Sequence, residues 1–198
     1  MKFCPHCGAR IARRVPDGDH LLRDVCDACG QVHYDNPKLI AGSVPEHAGR
    51  ILLCRRAIEP RRGFWTIPAG FMEIGETLQQ AAARECREEA LATVEIEDPC
   101  AIVHVLHNAQ VHVMFRARLA DPVFGVGAES LESRLLREDE VPWPELAFPS
   151  VRFTLERWFE DRRAGRRELH FATISRAPAG GPPVAHYAPP TAGQESNG

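Results

Sequence analysis

The sequence predicts a mixed α/β (α+β) domain built on a mixed sheet, preceded by a small segment that a metal must staple. Three observations predict it. Short apolar runs of strand length recur between Leu39 and Leu119. The stretch Glu76 to Ala90 is rich in Ala, Glu, Gln, Leu and Arg and holds no Gly or Pro, a helix composition. Four of the seven cysteines form two Cys-x-x-Cys pairs in the first 34 residues, which hold too few apolar side chains for a core of their own.

Length and charge narrow the classes. A chain of 198 residues suits one principal core plus an appendage, and 44% hydrophobic with 26% charged residues is ordinary for a globular protein. A formal net charge of -3 gives no long-range attraction to nucleic acid or to an anionic membrane. No stretch approaches the roughly 20 apolar residues that span a bilayer, and the first residues hold no apolar leader. A cytoplasmic protein with no membrane partner is the expectation.

Along the chain, Leu39–Val44 and Ile51–Cys54 read as a hairpin around Pro45 to Arg50, whose Gly49 allows the turn. Phe64 to Ile67 follows, then a break at Pro68-Ala69-Gly70. After the helix, Thr93–Ile96, Ala101–Leu106 and Val111–Leu119 read as strands, the last alternating Val111, Val113 and Phe115 with His112, Met114 and Arg116. Ser150 is placed to cap a second helix, in which Val151, Leu155, Trp158 and Phe159 recur at helical spacing up to Gly165. Leu169 to Ile174 reads as a returning strand. Beyond Arg176 Pro, Gly and Ala dominate, so that segment is expected to be disordered. The expected domains are residues 1–34, 35–176 and the tail 177–198.

Cys4-x-x-Cys7-Gly8 and Cys26-x-x-Cys29-Gly30 are separated by 18 residues, the spacing of a four-cysteine zinc ribbon. Thiolates three residues apart on a tight turn reach one tetrahedral ion, and four sulfurs leave no open position, so Cys4, Cys7, Cys26 and Cys29 predict a structural Zn2+. A redox dithiol needs only one pair, and a reducing compartment disfavours disulfides. Arg10, Arg13, Arg14 and Arg23 are diluted by Asp17, Asp19, Asp24 and Asp27, which weighs against a nucleic-acid partner.

On the predicted helix Glu85, Glu88 and Glu89 stand at i, i+3 and i+4, which is expected to project three like-charged carboxylates from one face within one turn. A divalent cation turns that repulsion into a site, and carboxylates without nearby His or Cys favour Mg2+ or Mn2+. The stretch from Gly70 through Glu76 to Arg84-Glu85-Cys86-Arg87-Glu88-Glu89, preceded by Trp65 and Pro68-Ala69-Gly70, resembles the Nudix box. Leu91 departs from it, standing where the family has a glycine that ends the helix. Leucine takes that left-handed turn only at a cost of roughly 1 kcal/mol.

The resemblance implies the Nudix fold, a mixed β-sheet sandwiched between helices, and hydrolysis of a diphosphate linked to a nucleoside. It implies that Glu85, Glu88 and Glu89, with the carbonyl of Ala69, hold the catalytic cations, while Gly70 and the Glu76–Arg84 pair support them. A loop acid often serves these enzymes as base or extra ligand; Glu129 and Glu132 are candidates, as catalytic residues or plain surface acids. Arg55 and Arg56 are candidates for substrate phosphates or a solvated pair. Trp65 and Phe71 are candidates for stacking on a substrate ring or for the core.

Over residues 1–176 the chain resembles the zinc-ribbon-bearing Nudix hydrolases of bacteria and plants, through Asn36-Pro37-Lys38, Pro68-Ala69-Gly70-Phe71, Glu129-Ser130-Leu131-Glu132 and Leu146-Ala147-Phe148. That resemblance implies cleavage of FAD to FMN and AMP, with ADP-ribose as a second small-molecule dinucleotide substrate, by a homodimer. NADH pyrophosphatases share the layout, but their Ser-Gln-Pro-Trp-Pro-Phe-Pro run is missing after the box. The competing class is a non-catalytic nucleotide sensor.

Overall fold

A computed structural model of the chain describes residues 1–175 and 184–187. The chain divides into two compact units, the first Met1–Pro37 and the second beginning at Lys38.

In the first unit β1 (Ile11–Arg14), β2 (Arg23–Cys26) and β3 (Val32–His33) form an antiparallel sheet in that order. Its buried apolar residues are Cys4, Val25 and Cys26. Such an interior is too small to offset the ordering of 37 residues.

The second unit begins with β4 (Lys38–His47) and β5 (Arg50–Arg56), paired through Glu46 with Ile51 and His47 with Arg50. The turn is therefore only Ala48-Gly49, both at positive φ (47° and 83°), the geometry that two-residue hairpins require. Pro45, expected in the turn, continues β4 opposite Ala117. Short strands β6 (Trp65–Thr66) and β7 (Ala69–Phe71) pair with β5 and β4. Next come helix α1 (Leu78–Ala90), β8 (Val94–Val105), β9 (Gln110–Leu119) and β10 (Ser130–Leu136). Helix α2 (Pro149–Ala164) leads to β11 (His170–Ser175) and β12 (Val184–Tyr187).

The main path of the sheet runs β10-β5-β4-β9-β8-β11-β12, with β4 parallel to β9 and β8 parallel to β11. Two expected strands, Thr93–Ile96 and Ala101–Leu106, are one: β8 bridges them with a register shift at Pro99, where proline's missing donor is tolerated in a bulge. The period-two pattern then assigns faces. Ile51, Leu53 and Met114 join Leu155, Trp158 and Phe159 of α2, while Leu52, Cys54, Val113 and Phe115 pack with residues of α1. Both faces of the sheet are thus covered by a helix, which explains why its central strands carry apolar residues on both sides.

Helix α1 starts at Thr77, whose side chain accepts from the Gln80 N–H while the Gln80 side chain accepts from the Thr77 N–H. It ends at Leu91, which takes the left-handed conformation (φ 49°, ψ 32°) that the sequence marks as costly. The cost is offset by bonding. The Leu91 N–H donates to the Arg87 carbonyl, and from a distant loop Gly125 and Gly127 donate to the carbonyls of Ala90 (2.7 Å) and Glu89 (3.0 Å). Helix α2 is capped differently from expectation: Phe148 is its N-cap and Pro149 its first residue, leaving Ser150 buried within the first turn.

Val184–Tyr187 lies inside the tail expected to be disordered, yet it pairs antiparallel with β11 from Ala172 to Ser175. Its Val and Tyr favour strands, and an open sheet edge supplies the partner that a composition argument does not see. The rest of that segment, residues 176–183 and 188–198, lies outside the described residues. Among the described residues no helix is long and apolar enough to cross a membrane.

Candidate metal centres

The first unit brings its four cysteines together, every sulfur within 4.8 Å of the others. The Cys7 and Cys26 sulfurs are 3.4 Å apart and those of Cys4 and Cys29 3.9 Å. A tetrahedron with ~2.3 Å zinc–sulfur bonds has edges of ~3.8 Å, so the cage has the size of that ion. Each pair rides on a tight turn closed by a glycine at positive φ: the Gly8 N–H donates to the Cys4 carbonyl and the Gly30 N–H to the Cys26 carbonyl. The Cys29 N–H holds the Cys26 thiol down to about 6, favouring the thiolate that a metal needs. His6, between the first two cysteines, is exposed.

In the second unit, α1 presents the three glutamates unequally. Glu85 and Glu89 continue the line of buried Ala81, one turn apart, and are themselves buried against the sheet. Glu88 sits off that line with its side chain 57% exposed. The Glu85 carboxylate fills the space over Gly70: a Cβ there would lie 2.3 Å from its Oε1, so a side chain at that position would push the carboxylate out of its place. Glu89 accepts from the Ala69 N–H at 3.3 Å. The contact observed at Ala69 is thus its amide, while its carbonyl was the expected ligand.

Arg84 holds this cluster together. Its guanidinium donates to both carboxylate oxygens of Glu76 (3.1 and 2.8 Å), to Glu85 (2.7 Å), to Glu88 (2.9 Å) and to the Phe71 carbonyl (2.9 Å). The Glu73 N–H fixes Glu76 further. Burial pushes Glu89 up to about 8, with the charge of Glu85 adding to it, and burial raises Glu85 as well. Two sequestered carboxylates with hard oxygen donors and spare lone pairs fit a divalent cation of the magnesium type.

The loop acids differ in their surroundings. The charge of Glu129 adds a small upward push to both Glu85 and Glu89, whereas Glu132 pairs with Arg134 and lies 4.0 Å from Arg55. The charge of Arg56 favours ionised Glu89, while its guanidinium donates to the Pro60 carbonyl and lies over the Phe148 ring. Arg55 is turned toward the Gly63 carbonyl. Trp65, a candidate for stacking on a substrate ring, is 5% exposed, lies in the core and is covered by the Arg134 guanidinium. An aromatic in a short strand beneath a helix is recruited by burial first. Phe71 is half exposed, with Lys38 over its ring.

Two features escaped the sequence reading. Gly125-Val126-Gly127 docks on the end of α1; the Gly-x-Gly run was visible as a loop signal, but not its target. Asp161, Glu168 and His170 also bring ligand-type atoms within 4.8 Å of one another. There Asp161 Oδ2 already accepts from Arg116 at 2.5 Å and from the Glu168 N–H, so a guanidinium fills the cation's role in an ion pair joining β9 to α2.

Residues 40–159 match the NUDIX domain family, and residues 2–35 match the family described as Nudix N-terminal, a zinc ribbon. A crystal structure of a NUDIX hydrolase from Nitrosomonas europaea is 49% identical, with a TM-score of 0.85 over 88% of this chain and 99% of that one. The NAD-capped RNA hydrolase NudC of Vibrio vulnificus is 38% identical over 95 residues, 45% of this chain and 32% of its own length. A MutT-like protein of Streptomyces ambofaciens is 32% identical over 102 residues, 52% of this chain and 64% of its own. The chain thus spans about a third of the NudC relative that it matches. The four-cysteine cage is the zinc site of the ribbon, and Mg2+ or Mn2+ is the cation that Nudix hydrolases use.

Proposed function

The chain belongs to the NUDIX family, and from that premise we propose that it is a pyrophosphohydrolase that cuts the diphosphate of an ADP-linked molecule, releasing AMP. The observation that carries this reading is the pair of buried carboxylates on α1, Glu85 over Gly70 and Glu89 at the Ala69 N–H. A pure binder has no use for such an arrangement, since sequestered carboxylates repel a diphosphate until a cation intervenes. Magnesium, when bound there, neutralises the phosphate oxygens and makes phosphorus open to attack by water.

The residues take distinct roles. Glu85 and Glu89 hold the cation, with exposed Glu88 completing its charge. Arg84, anchored by Glu76 and the Phe71 carbonyl, fixes the height of the helix against β7. Arg56, whose charge favours ionised Glu89, meets substrate phosphate. Glu129 serves as the loop acid, taking a proton from the attacking water; Glu132, engaged with Arg134 and near Arg55, supports β10 instead. The substrates in view share an ADP half: FAD, ADP-ribose and NADH. FAD follows from the sequence resemblance, and NAD-linked substrates follow from the name of the NudC relative.

A product assay by mass spectrometry tests the proposal on FAD, ADP-ribose, NADH and NAD side by side, with Mg2+ and then Mn2+. Release of AMP, lowered about 100-fold or more in Glu89→Gln, is the expected result. Silence across the panel, together with tight nucleotide binding, would replace the enzyme with a sensor. AMP release that survives Glu89→Gln would move the site elsewhere.

A further inference from the structure

We propose that Gly127 is a positioning residue of the hydrolytic site, setting where the Glu129 carboxylate stands relative to Glu85 and Glu89. The inference rests on the reading of Glu129 as the loop acid. Glu129 is exposed and its side chain makes no hydrogen bond or ion pair among the described residues, so its position is set by its backbone. That backbone is clamped on both sides. Before it, the Gly127 N–H donates to the Glu89 carbonyl at 3.0 Å; after it, the Ala57 N–H at the end of β5 donates to the Glu129 carbonyl at 2.8 Å. The Ser130 N–H, donating to the Gly127 carbonyl at 3.1 Å, closes the turn between the clamps.

The first clamp leaves no room for a side chain. A Cβ on Gly127 would lie 1.8 Å from the Glu88 carbonyl oxygen and 2.9 Å from the Glu89 carbonyl carbon, so the loop rests on the peptide that joins two of the acidic residues. What glycine supplies here is space, since Gly127 is not at positive φ. Helix α1 is packed along its length on the sheet, whereas the loop is tied to it only near its end, by the packing of Phe124 and the hydrogen bonds of Gly125 and Gly127. An added methyl therefore displaces the loop, and Glu129 with it. Gly125 is an internal comparison: a Cβ there would meet only the Leu91 side chain, at 3.0 Å from its Cδ1, and that side chain can turn aside.

Four variants test this on whichever dinucleotide of the panel is turned over fastest: Gly127→Ala, Gly125→Ala, Glu129→Gln and Glu129→Asp. Steady-state kinetics is read together with a Mn2+ titration and a melting curve. We expect kcat to fall about 100-fold or more in Glu129→Gln and about 10-fold or more in Gly127→Ala and Glu129→Asp, which misplace the carboxylate. KM and Mn2+ affinity should stay within about threefold in those variants, and Gly125→Ala should keep kcat within about twofold.

Wild-type kcat in Glu129→Gln overturns the reading of Glu129 and this inference with it. A crippled Glu129→Gln beside an unimpaired Gly127→Ala or Glu129→Asp overturns the inference alone. A Mn2+ affinity that falls in step with kcat in Gly127→Ala also overturns it, because the glycine would then guard the cation ligands and not the acid. Should Gly127→Ala fail to fold, Glu129→Asp, changed at an exposed position, still decides whether the carboxylate's placement matters. Silence across the panel removes the premise.

Discussion

The two candidate metal centres are organised in opposite ways. In the ribbon the four ligand sulfurs already stand within 4.8 Å of one another, in a unit whose buried apolar residues are two of those cysteines and Val25. On α1 the carboxylates are kept apart, Arg84 bridging Glu85 and Glu88 while Glu89 turns to the Ala69 amide. The difference teaches what each cation is for. Zinc in the ribbon stands in for a missing core, so metal and fold are one event. The glutamates sit on a helix secured by a capping box and by packing on the sheet, so a cation there changes charge and leaves the fold in place.

Removing zinc is the largest blow to that contrast. Metal analysis should find about one zinc per chain, and Cys26→Ser or chelation should bring amide exchange in β1, β2 and β3 to that of an unfolded chain. The strands of the second unit should keep their protection. A ribbon that stays protected without metal would erase the distinction.

A smaller effect lies in pH. Burial raises Glu89 from 4.5 to about 8, so between those values the folded chain keeps a proton that the unfolded chain has lost. The contribution of this group to stability is whole below the lower value and is lost as pH rises through the upper one. A divalent cation needs the ionised form. The gain in melting temperature on adding Mg2+ should therefore be larger at about pH 8.5 than at about pH 5.5, and Glu89→Gln should flatten both trends. An equal gain at both pH values would mean that the cation does not meet Glu89.

The smallest effect concerns the end of α1. Leu91→Gly relieves a left-handed leucine worth roughly 1 kcal/mol but gives up its contact with Gly125. Thermal unfolding should show a gain of no more than about 1 kcal/mol. A loss would show that the packing of Leu91 on the loop outweighs its backbone strain.

What could be read from the sequence follows the range of the interactions involved. The cysteine pairs and helix α1 are written in local spacing, and the structure brings the four sulfurs together and forms the helix over Leu78–Ala90. The unequal burial of Glu85, Glu88 and Glu89 depends on which line of the helix meets the sheet, a tertiary fact. Pro99 looked like the end of one strand and the start of another, because a bulge is recognised only through its partner strand. Trp65 offered a ring in sequence and is a core residue in space. Glu129 and Glu132, three residues apart in one acidic run, look alike in sequence; that Gly127, two residues before the former, rests on α1 and that an arginine on β10 engages the latter are tertiary facts.

Strand β12 bears on how the molecule behaves in company. Without it, β11 would end the sheet as a bare row of amide and carbonyl groups, ready to recruit a strand from another molecule. By pairing along β11 from Ala172 to Ser175, the four residues Val184–Tyr187 satisfy that row, and the open edge of the sheet passes to a strand of only four residues. A four-residue edge is a poorer template for another molecule than the six residues of β11, and a version cut back to Ser175 would present that longer row.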